Sequence, residues 1–264
     1  MAFKEKRSAE LVYMVSELIG ARHAFTTRYG GVSTGGFSSL NLGSNRGDDP
    51  AAVRENYGRL CALMGVGMDD CAVTSQVHGS AVRTVTEEDR HVCMSPVAYE
   101  ADGIVTGVRG LPVICKVADC VPVLLWDRQG RAAGAIHCGW RSSVGDILKN
   151  ALERMEALGA RREDLVAALG PSIGRCCFET DGDVPRAIAE YLSGDTEGLF
   201  SLREDGKYLV DLRAANARRL TQLGVPAESI DISQECTMCS HEKYWSHRYT
   251  KGHRGSQAAV IVLE

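Results

Sequence analysis

The chain has no long apolar run, no block of like charge and no stretch rich in proline and serine, and each absence removes a class of protein. The longest early apolar stretch, Leu11 to Gly20, is interrupted by Ser16 and Glu17. It is too short to span a bilayer and lacks a small-residue cleavage pattern, so neither a membrane anchor nor a signal peptide is expected. A net charge of -4 comes without the concentrated basic face that a nucleic-acid partner requires. No linker, internal repeat or low-complexity segment divides the sequence, which predicts a single domain over 1–264. Histidine is scarce as well. The 7 present fall at positions 23, 78, 91, 137, 241, 247 and 253, with no His-x-His pair. A multicopper oxidase needs more imidazoles, usually in such pairs, so copper polyphenol oxidase chemistry is not expected.

Cysteine, by contrast, is abundant, at 10 residues. Without an export signal the expected location is the cytoplasm, where thiols are buried, catalytic or metal-bound rather than paired. Cys61 and Cys115 lie in apolar helix and strand patterns and read as core. Cys176-Cys177 reads as loop packing. Cys236-x-x-Cys239 followed by His241 has ligand-like spacing, but a single such pair is a weak metal signal.

Asp49-Pro50 predicts a helix start, with Asp49 as cap and Pro50 in the first turn; Val53, Tyr57, Leu60 and Met64 recur at helical spacing before Gly65. Further helices are expected over Ser143–Leu158, after a capping Asp211, and over Val184–Leu192. Short apolar runs read as strands at 72–77, 81–85, 103–106, 113–117, 121–126, 132–136, 165–169, 208–210 and 258–263. Strands often follow one another without a helix between them. The predicted class is therefore α/β (α+β), with mixed β-sheets flanked by helices. The glycine- and asparagine-rich stretch from Gly30 to Asp48 is too long for a turn and reads as a functional loop.

Chemistry concentrates in Ala118-Asp119-Cys120, a strand, the turn Asp127-Arg128-Gln129-Gly130, and a strand ending at His137-Cys138-Gly139-Trp140. An unbulged hairpin in which Asp127 faces Gly130 puts Cys120 opposite His137. Opposed residues share a face with Cβ atoms about 5 Å apart, close enough for a thiolate and an imidazole to hold one cation. His78, in Ser75-Gln76-Val77-His78-Gly79, is the third candidate. Two imidazoles, one thiolate and a free fourth position make the donor pattern of a catalytic zinc, and thiolate disfavours magnesium or calcium. The rival reading is a metal-free cysteine hydrolase with Cys120 as nucleophile and His137 as base.

Ser-Gln-Val-His-Gly (75–79), Ala-Asp-Gly (101–103), Ala-Asp-Cys-Val-Pro (118–122), His-Cys-Gly-Trp-Arg (137–141) and Gly-Pro-Ser-Ile (170–173) resemble the YfiH/PgeF family, also called the laccase-domain or polyphenol oxidase family. Asn-Leu-Gly (41–43), Gly-Asp-Asp-Pro (47–50), Cys236-Thr237 and Trp245-Ser246-His247-Arg248 extend the likeness from about residue 25 to the C-terminus. The resemblance implies a YfiH-like fold with His78, Cys120 and His137 as ligands of one zinc ion. It also implies phosphorolysis of adenosine, inosine or methylthioadenosine, and deamination of adenosine. Editing of peptidoglycan precursors by an amidase is the alternative. Two positions depart from the family pattern: Asn45 stands where many relatives carry histidine, and Cys138 replaces a commoner alanine. Cys138 should face away from His137 and is read as structural.

On that reading Asp119 and Gln76 are the catalytic candidates, Asp119 to orient an imidazole or carry a proton. Arg46 and Arg141 would bind phosphate, and Asn41, with Gln76, would hold the base or ribose. The expected partners are a purine nucleoside and phosphate, with no nucleic acid and no membrane, and the chain is expected to be a monomer or weak homodimer.

Overall fold

The structure, a computed structural model, describes residues 3–8 and 10–264. The N-terminal strands are β1 (Phe3–Ser8), β2 (Leu11–Ser16) and β3 (Arg22–Thr26). Helix α1 (Pro50–Met64) leads to β4 (Ala72–Val73), β5 (Val82–Val85), β6 (Gly103–Thr106), β7 (Pro112–Val117), β8 (Val121–Asp127) and β9 (Ala133–Cys138). Then come α2 (Trp140–Val144), α3 (Ile147–Ala157), β10 (Leu165–Leu169), β11 (Glu179–Thr180) and α4 (Asp183–Tyr191). The chain closes with β12 (Phe200–Leu202), β13 (Tyr208–Val210), α5 (Leu212–Gln222), β14 (Ile230–Ile232) and β15 (Gln257–Val262). Among the described residues no helix is long and apolar enough to cross a membrane.

The strands form two six-stranded mixed sheets, ordered β1-β2-β3-β15-β7-β4 and β14-β10-β8-β9-β6-β5, and a small sheet β11-β13-β12. Side-chain alternation explains the layering. From β8, Leu124 joins Ala133 and Ala135 of β9 in a core shared with Phe25, Val113, Cys115 and Ile261 of the other sheet. Val121, Val123 and Leu125 point the other way, onto Leu148 and Leu152 of α3 and Leu220 of α5. The far face of the first sheet, with Ile114 and Val260, is covered by Val53, Tyr57 and Leu60 of α1. Two sheets thus lie face to face with helices outside each, as the mixed α/β class predicts. Cys61 and Cys115 are buried core residues, as expected.

Helix α1 follows its signals: the Asp49 side chain accepts from Ala51 N, and Gly65 closes the helix at φ 63°. Asp211 likewise caps α5 through Ala214 N. The helix expected over 143–158 is instead two, α2 and α3, parted at Gly145-Asp146. Asp146 sits at φ 64°, and its carboxylate is gripped by both ends of the Arg219 guanidinium on α5. A tertiary ion pair overrides a helical pattern there. Strands β1 to β3 are not among the strands expected from the sequence, although β2 is an apolar run; β1 is charged and largely exposed, an edge strand without an apolar face.

The β8–β9 hairpin differs from expectation in register. His137 pairs with Pro122, and Trp126 with Ala133, so Cys120 does not directly oppose His137. The physical reason is Asp127. Its buried carboxylate accepts from Gln129 N (3.4 Å), Arg131 N (3.0 Å) and Arg131 Nε (2.6 Å), opening the turn to the four residues between Asp127 and Ala132. The slip is two residues, an even number, so face parity survives and Cys120, Pro122 and His137 still look toward the other sheet. Replacing Asp127 by alanine is expected to cost about 3 kcal/mol, because Arg131 and two amides lose their buried acceptor. Urea unfolding measures this; a midpoint change worth less than about 0.5 kcal/mol would mean that the backbone alone holds the turn.

Candidate metal centre

The site forms where the chain passes from one sheet to the other. Residues 118–120 connect β7, in the first sheet, to β8, in the second, and Asp119 makes this turn at φ 83°. A non-glycine residue in this region is strained by about 1–3 kcal/mol and persists only where its surroundings hold it. Thr237 Oγ1 donates to Asp119 Oδ1 at 2.6 Å, Arg248 N donates to Oδ2 at 2.6 Å, and Ile173 N donates to the Asp119 carbonyl at 2.9 Å. The turn is fastened from three sides, and Cys120 is aimed at the cavity.

His78 also has positive φ, 62°, and the residue that fastens it is Asp102. The fully buried Asp102 carboxylate accepts from three consecutive amides, Val77 N (2.9 Å), His78 N (3.0 Å) and Gly79 N (2.9 Å). The same carboxylate accepts from His137 Nδ1 at 2.7 Å. That bond defines the imidazole tautomer: with Nδ1 protonated, Nε2 is left free to ligate. One carboxylate therefore positions both histidines.

The outcome is a cluster of Cys120 and two imidazoles whose ligand atoms lie within 4.8 Å of one another. Cys120 Sγ is 4.0 Å from His78 Nε2, and the two rings meet edge to face at 4.9 Å. Burial pushes the Cys120 thiol up, but the charge of His137 and hydrogen bonds from both histidines outweigh it and bring it down to about 6. Burial pulls His137 down, yet the Cys120 thiolate and Asp102 overcome this and raise it to about 9. A half-buried, readily ionised thiol beside two imidazoles is a donor set suited to a soft cation, with one side open.

The open side faces a cavity of about 610 Å³. Gly43 to Arg46, from the loop read as functional, line one edge. Lys116, Arg46 and Arg254 make one end cationic. Lys116 and Arg254 are both pushed down, first by burial and then by the Arg46 charge, Arg254 to about 10. Arg254 Nε is buried without a hydrogen-bond partner among the described residues. Met94, Val97, Ile173 and Phe178 give other parts of the lining an apolar character.

The other sequence candidates fare differently. Arg46 lines the cavity as expected. Arg141 does not; it is exposed and stacks on Trp140 at 4.3 Å, and Trp140 is the lining residue. Asn41 is fully buried, its oxygen accepting from Gly43 N and Ser256 N and its amide donating to Asp48, so it ties the loop rather than facing a ligand. Gln76 reaches the cavity wall, but its amide is committed to Lys116 N, Lys116 O and Thr74 Oγ1, extending the β4–β7 pairing. Asp119 lines the cavity without touching an imidazole; Asp102 orients His137 instead. Sequence reading passed over Asp102, Lys116 and Arg254. Only Asp102 left a signal, the Ala-Asp-Gly motif.

A mixed-sheet α/β fold with a mixed Cys/His cluster at the mouth of a strand-end cavity defines a small-molecule site of metal-binding type. The chain belongs to the family described as multi-copper polyphenol oxidoreductase laccase, whose family model matches residues 22–264. It is 38% identical over 241 residues to a purine nucleoside phosphorylase of Deinococcus radiodurans, covering 91% of this chain and 88% of that one. It is 35% identical over 229 residues to an adenosine deaminase from an unknown prokaryotic organism, covering 85% and 87%. The crystal structure of YlmD from Geobacillus stearothermophilus has the same fold, with a TM-score of 0.92 at 30% identity over 99% of this chain and 98% of that one.

Proposed function

We propose that this protein is a zinc-dependent purine nucleoside phosphorylase that also deaminates adenosine, acting in the cytoplasm through His78, Cys120 and His137 as ligands of one ion. The observation that carries the reading is the convergence of these three donors, with His137 Nδ1 held by Asp102, beside a cavity with one cationic end. The donor set fits a single catalytic zinc: three protein ligands, one oriented by a buried carboxylate, and a free side toward the cavity. It does not fit a multicopper centre. Among the described residues no other cluster of potential ligands contains a histidine. The names of the relatives, a phosphorylase and a deaminase, support the two activities.

When bound, zinc supplies Lewis-acid polarisation and a lowered pKa for water. The chain's own residues do the rest. The apolar walls suit a purine ring, and the cavity is of a size that encloses a nucleoside. Lys116, Arg46 and Arg254 suit phosphate, whose oxygens can take the unpartnered Arg254 N–H. Attack by phosphate at the ribose anomeric carbon breaks the glycosidic bond and yields free base and ribose 1-phosphate. Attack by water at the purine amino-bearing carbon releases ammonia and yields inosine.

A specific observation also favours a metal-free cysteine hydrolase: Cys120, His137 and Asp102 form a thiolate–imidazole–carboxylate series. That mechanism leaves His78 without a role, although three amide bonds to Asp102 hold its backbone in a strained conformation at the cluster. The zinc reading gives it one.

Chromatography of products from adenosine and phosphate, with zinc-loaded and chelator-treated protein, tests the proposal. Adenine or inosine formed only with zinc is expected; equal turnover after chelation would replace it with the cysteine hydrolase. The cationic end gives a second prediction. Lys116→Met and Arg254→Gln should raise the KM for phosphate about 10- to 100-fold, as loss of a charge-assisted bond worth about 1.5–3 kcal/mol implies. Deamination, which uses no phosphate, should stay within about threefold. Equal losses in both reactions would show that these residues shape the cavity rather than bind the anion.

A further inference from the structure

A second group of thiols lies behind the cavity wall. Cys176 and Cys177 occupy the turn that follows β10, and Cys236 and Cys239 the loop that follows β14. All four Sγ atoms lie within 4.8 Å of one another. Cys239 Sγ is 3.5 Å from Cys176 Sγ and 3.4 Å from Cys177 Sγ. Four sulfurs around one zinc at about 2.3 Å would be about 3.8 Å apart, so the cluster is near that spacing. His241, which the sequence offered as a companion to Cys236-x-x-Cys239, is elsewhere: its Nδ1 meets Met238 O and its ring stacks on Tyr249.

From these positions we propose that Cys176, Cys177, Cys236 and Cys239 form a closed four-thiolate zinc site, separate from the centre at Cys120. The backbone is arranged for a thiolate there. Gly174 N donates to Cys236 Sγ at 3.2 Å. Amide donors to sulfur stabilise the ionised form. A third and fourth negative charge are disfavoured in so small a volume unless a cation is present. Gly174 leaves the necessary room: a Cβ there would lie 3.3 Å from Cys176 Sγ, 3.2 Å from Cys236 Cβ and 3.0 Å from Arg213 Nη2. The Arg213 guanidinium, close by, offsets the net negative charge of a zinc held by four thiolates.

The location gives the site a purpose. Thr237, within Cys236-Thr237-Met238-Cys239, donates to Asp119, and Ile173, three residues before Cys176, donates to the Asp119 carbonyl. The two loops already meet at a Ser172–Cys236 bridge. An ion across the four sulfurs clamps both loops, and so fixes the strained Asp119 turn that presents Cys120. No protein ligand is missing, so the site is structural rather than catalytic.

The test is metal content of protein loaded with zinc under a strong thiol reductant and freed of excess ion. Two zinc ions per chain are expected in the natural sequence, and one in Cys176→Ser/Cys239→Ser. Those two cysteines are exposed, so serine there leaves the core intact. Cys120→Ala should also hold one ion, which separates failure of this proposal from failure of the zinc reading at Cys120. Cobalt substitution adds a signature: Cys120→Ala should retain the stronger thiolate-to-cobalt charge-transfer absorption, and the double variant should lose it. Two ions in the double variant, or one in both the natural sequence and the double variant, would overturn the assignment. So would a Cys176–Cys239 disulfide in freshly isolated protein, seen by mass spectrometry as loss of two hydrogens.

Discussion

Replacing Cys120 by alanine is expected to lower kcat/KM for both phosphorolysis and deamination at least about a thousandfold, roughly 4 kcal/mol of transition-state stabilisation. The size follows from the geometry. Cys120 is the only anionic donor among the three, and its thiol is already held down to about 6 by the two histidines. Without it, two neutral imidazoles face a dication, and in the empty state the buried His137 and the exposed His78 lose their charged partner. Folding should suffer little, because Cys120 stands outside β8 at a cavity mouth rather than inside the core. The check is steady-state kinetics on protein whose unfolding midpoint matches the natural sequence. Retained turnover with retained metal would remove Cys120 from the reaction.

Asp102→Asn is expected to be almost as damaging, and for a reason that no ligand inventory contains. The carboxylate has four hydrogen-bond donors and no hydrogen of its own: three amides from 77–79 and His137 Nδ1. An asparagine oxygen can keep Val77 N and Gly79 N, but its NH2 then faces the His78 amide and His137 Nδ1. Two donors confront two donors. His137 can relieve the clash only by moving its proton to Nε2, the nitrogen the metal needs. Metal affinity should fall about 10- to 100-fold. The metal-free protein should lose about 2–4 kcal/mol, since His78 loses part of what holds it at φ 62°. Competition against a chelating dye reads the first effect and urea unfolding the second. A variant with unchanged affinity but lowered stability would make Asp102 a scaffold residue only.

How much of this was legible in the sequence differs between kinds of residue. The three candidate donors stand out because histidine and cysteine are chemically conspicuous, and because strand pairing conserves parity. A two-residue error in register leaves every side chain on its own face, so the inference about Cys120 and His137 survived a wrong turn. Helix α1 was legible from local capping chemistry, Asp49, Pro50 and Gly65, which acts within a few residues. The break between α2 and α3 was not, because Asp146 is held by Arg219, 73 residues away. Strand β1 was invisible for a different reason: an exposed edge strand needs no apolar pattern.

Three of the polar candidates have their side chains committed elsewhere, and for one cause. Asn41, Gln76 and Arg141 are polar residues within the motifs, and a place in a motif does not say which way a side chain points. Asn41 and Gln76 spend their amides on the loop and sheet that carry the site, and Arg141 faces solvent. Lys116 and Arg254, which do line the cavity, come from β7 and the approach to β15, neighbouring strands in the sheet but 138 residues apart in the chain.

The sequence by itself determined the donor types, the mixed α/β class and the helix caps, because each depends on residue chemistry or on periodicity over a few positions. Tertiary structure alone decided that Asp102 would hold both histidines, that the basic end would be Lys116, Arg46 and Arg254, and that two distant cysteine pairs would meet behind Asp119. Those outcomes depend on which strands become neighbours. That is governed by the burial of two sheet faces against each other, a property of the whole chain that no local segment encodes.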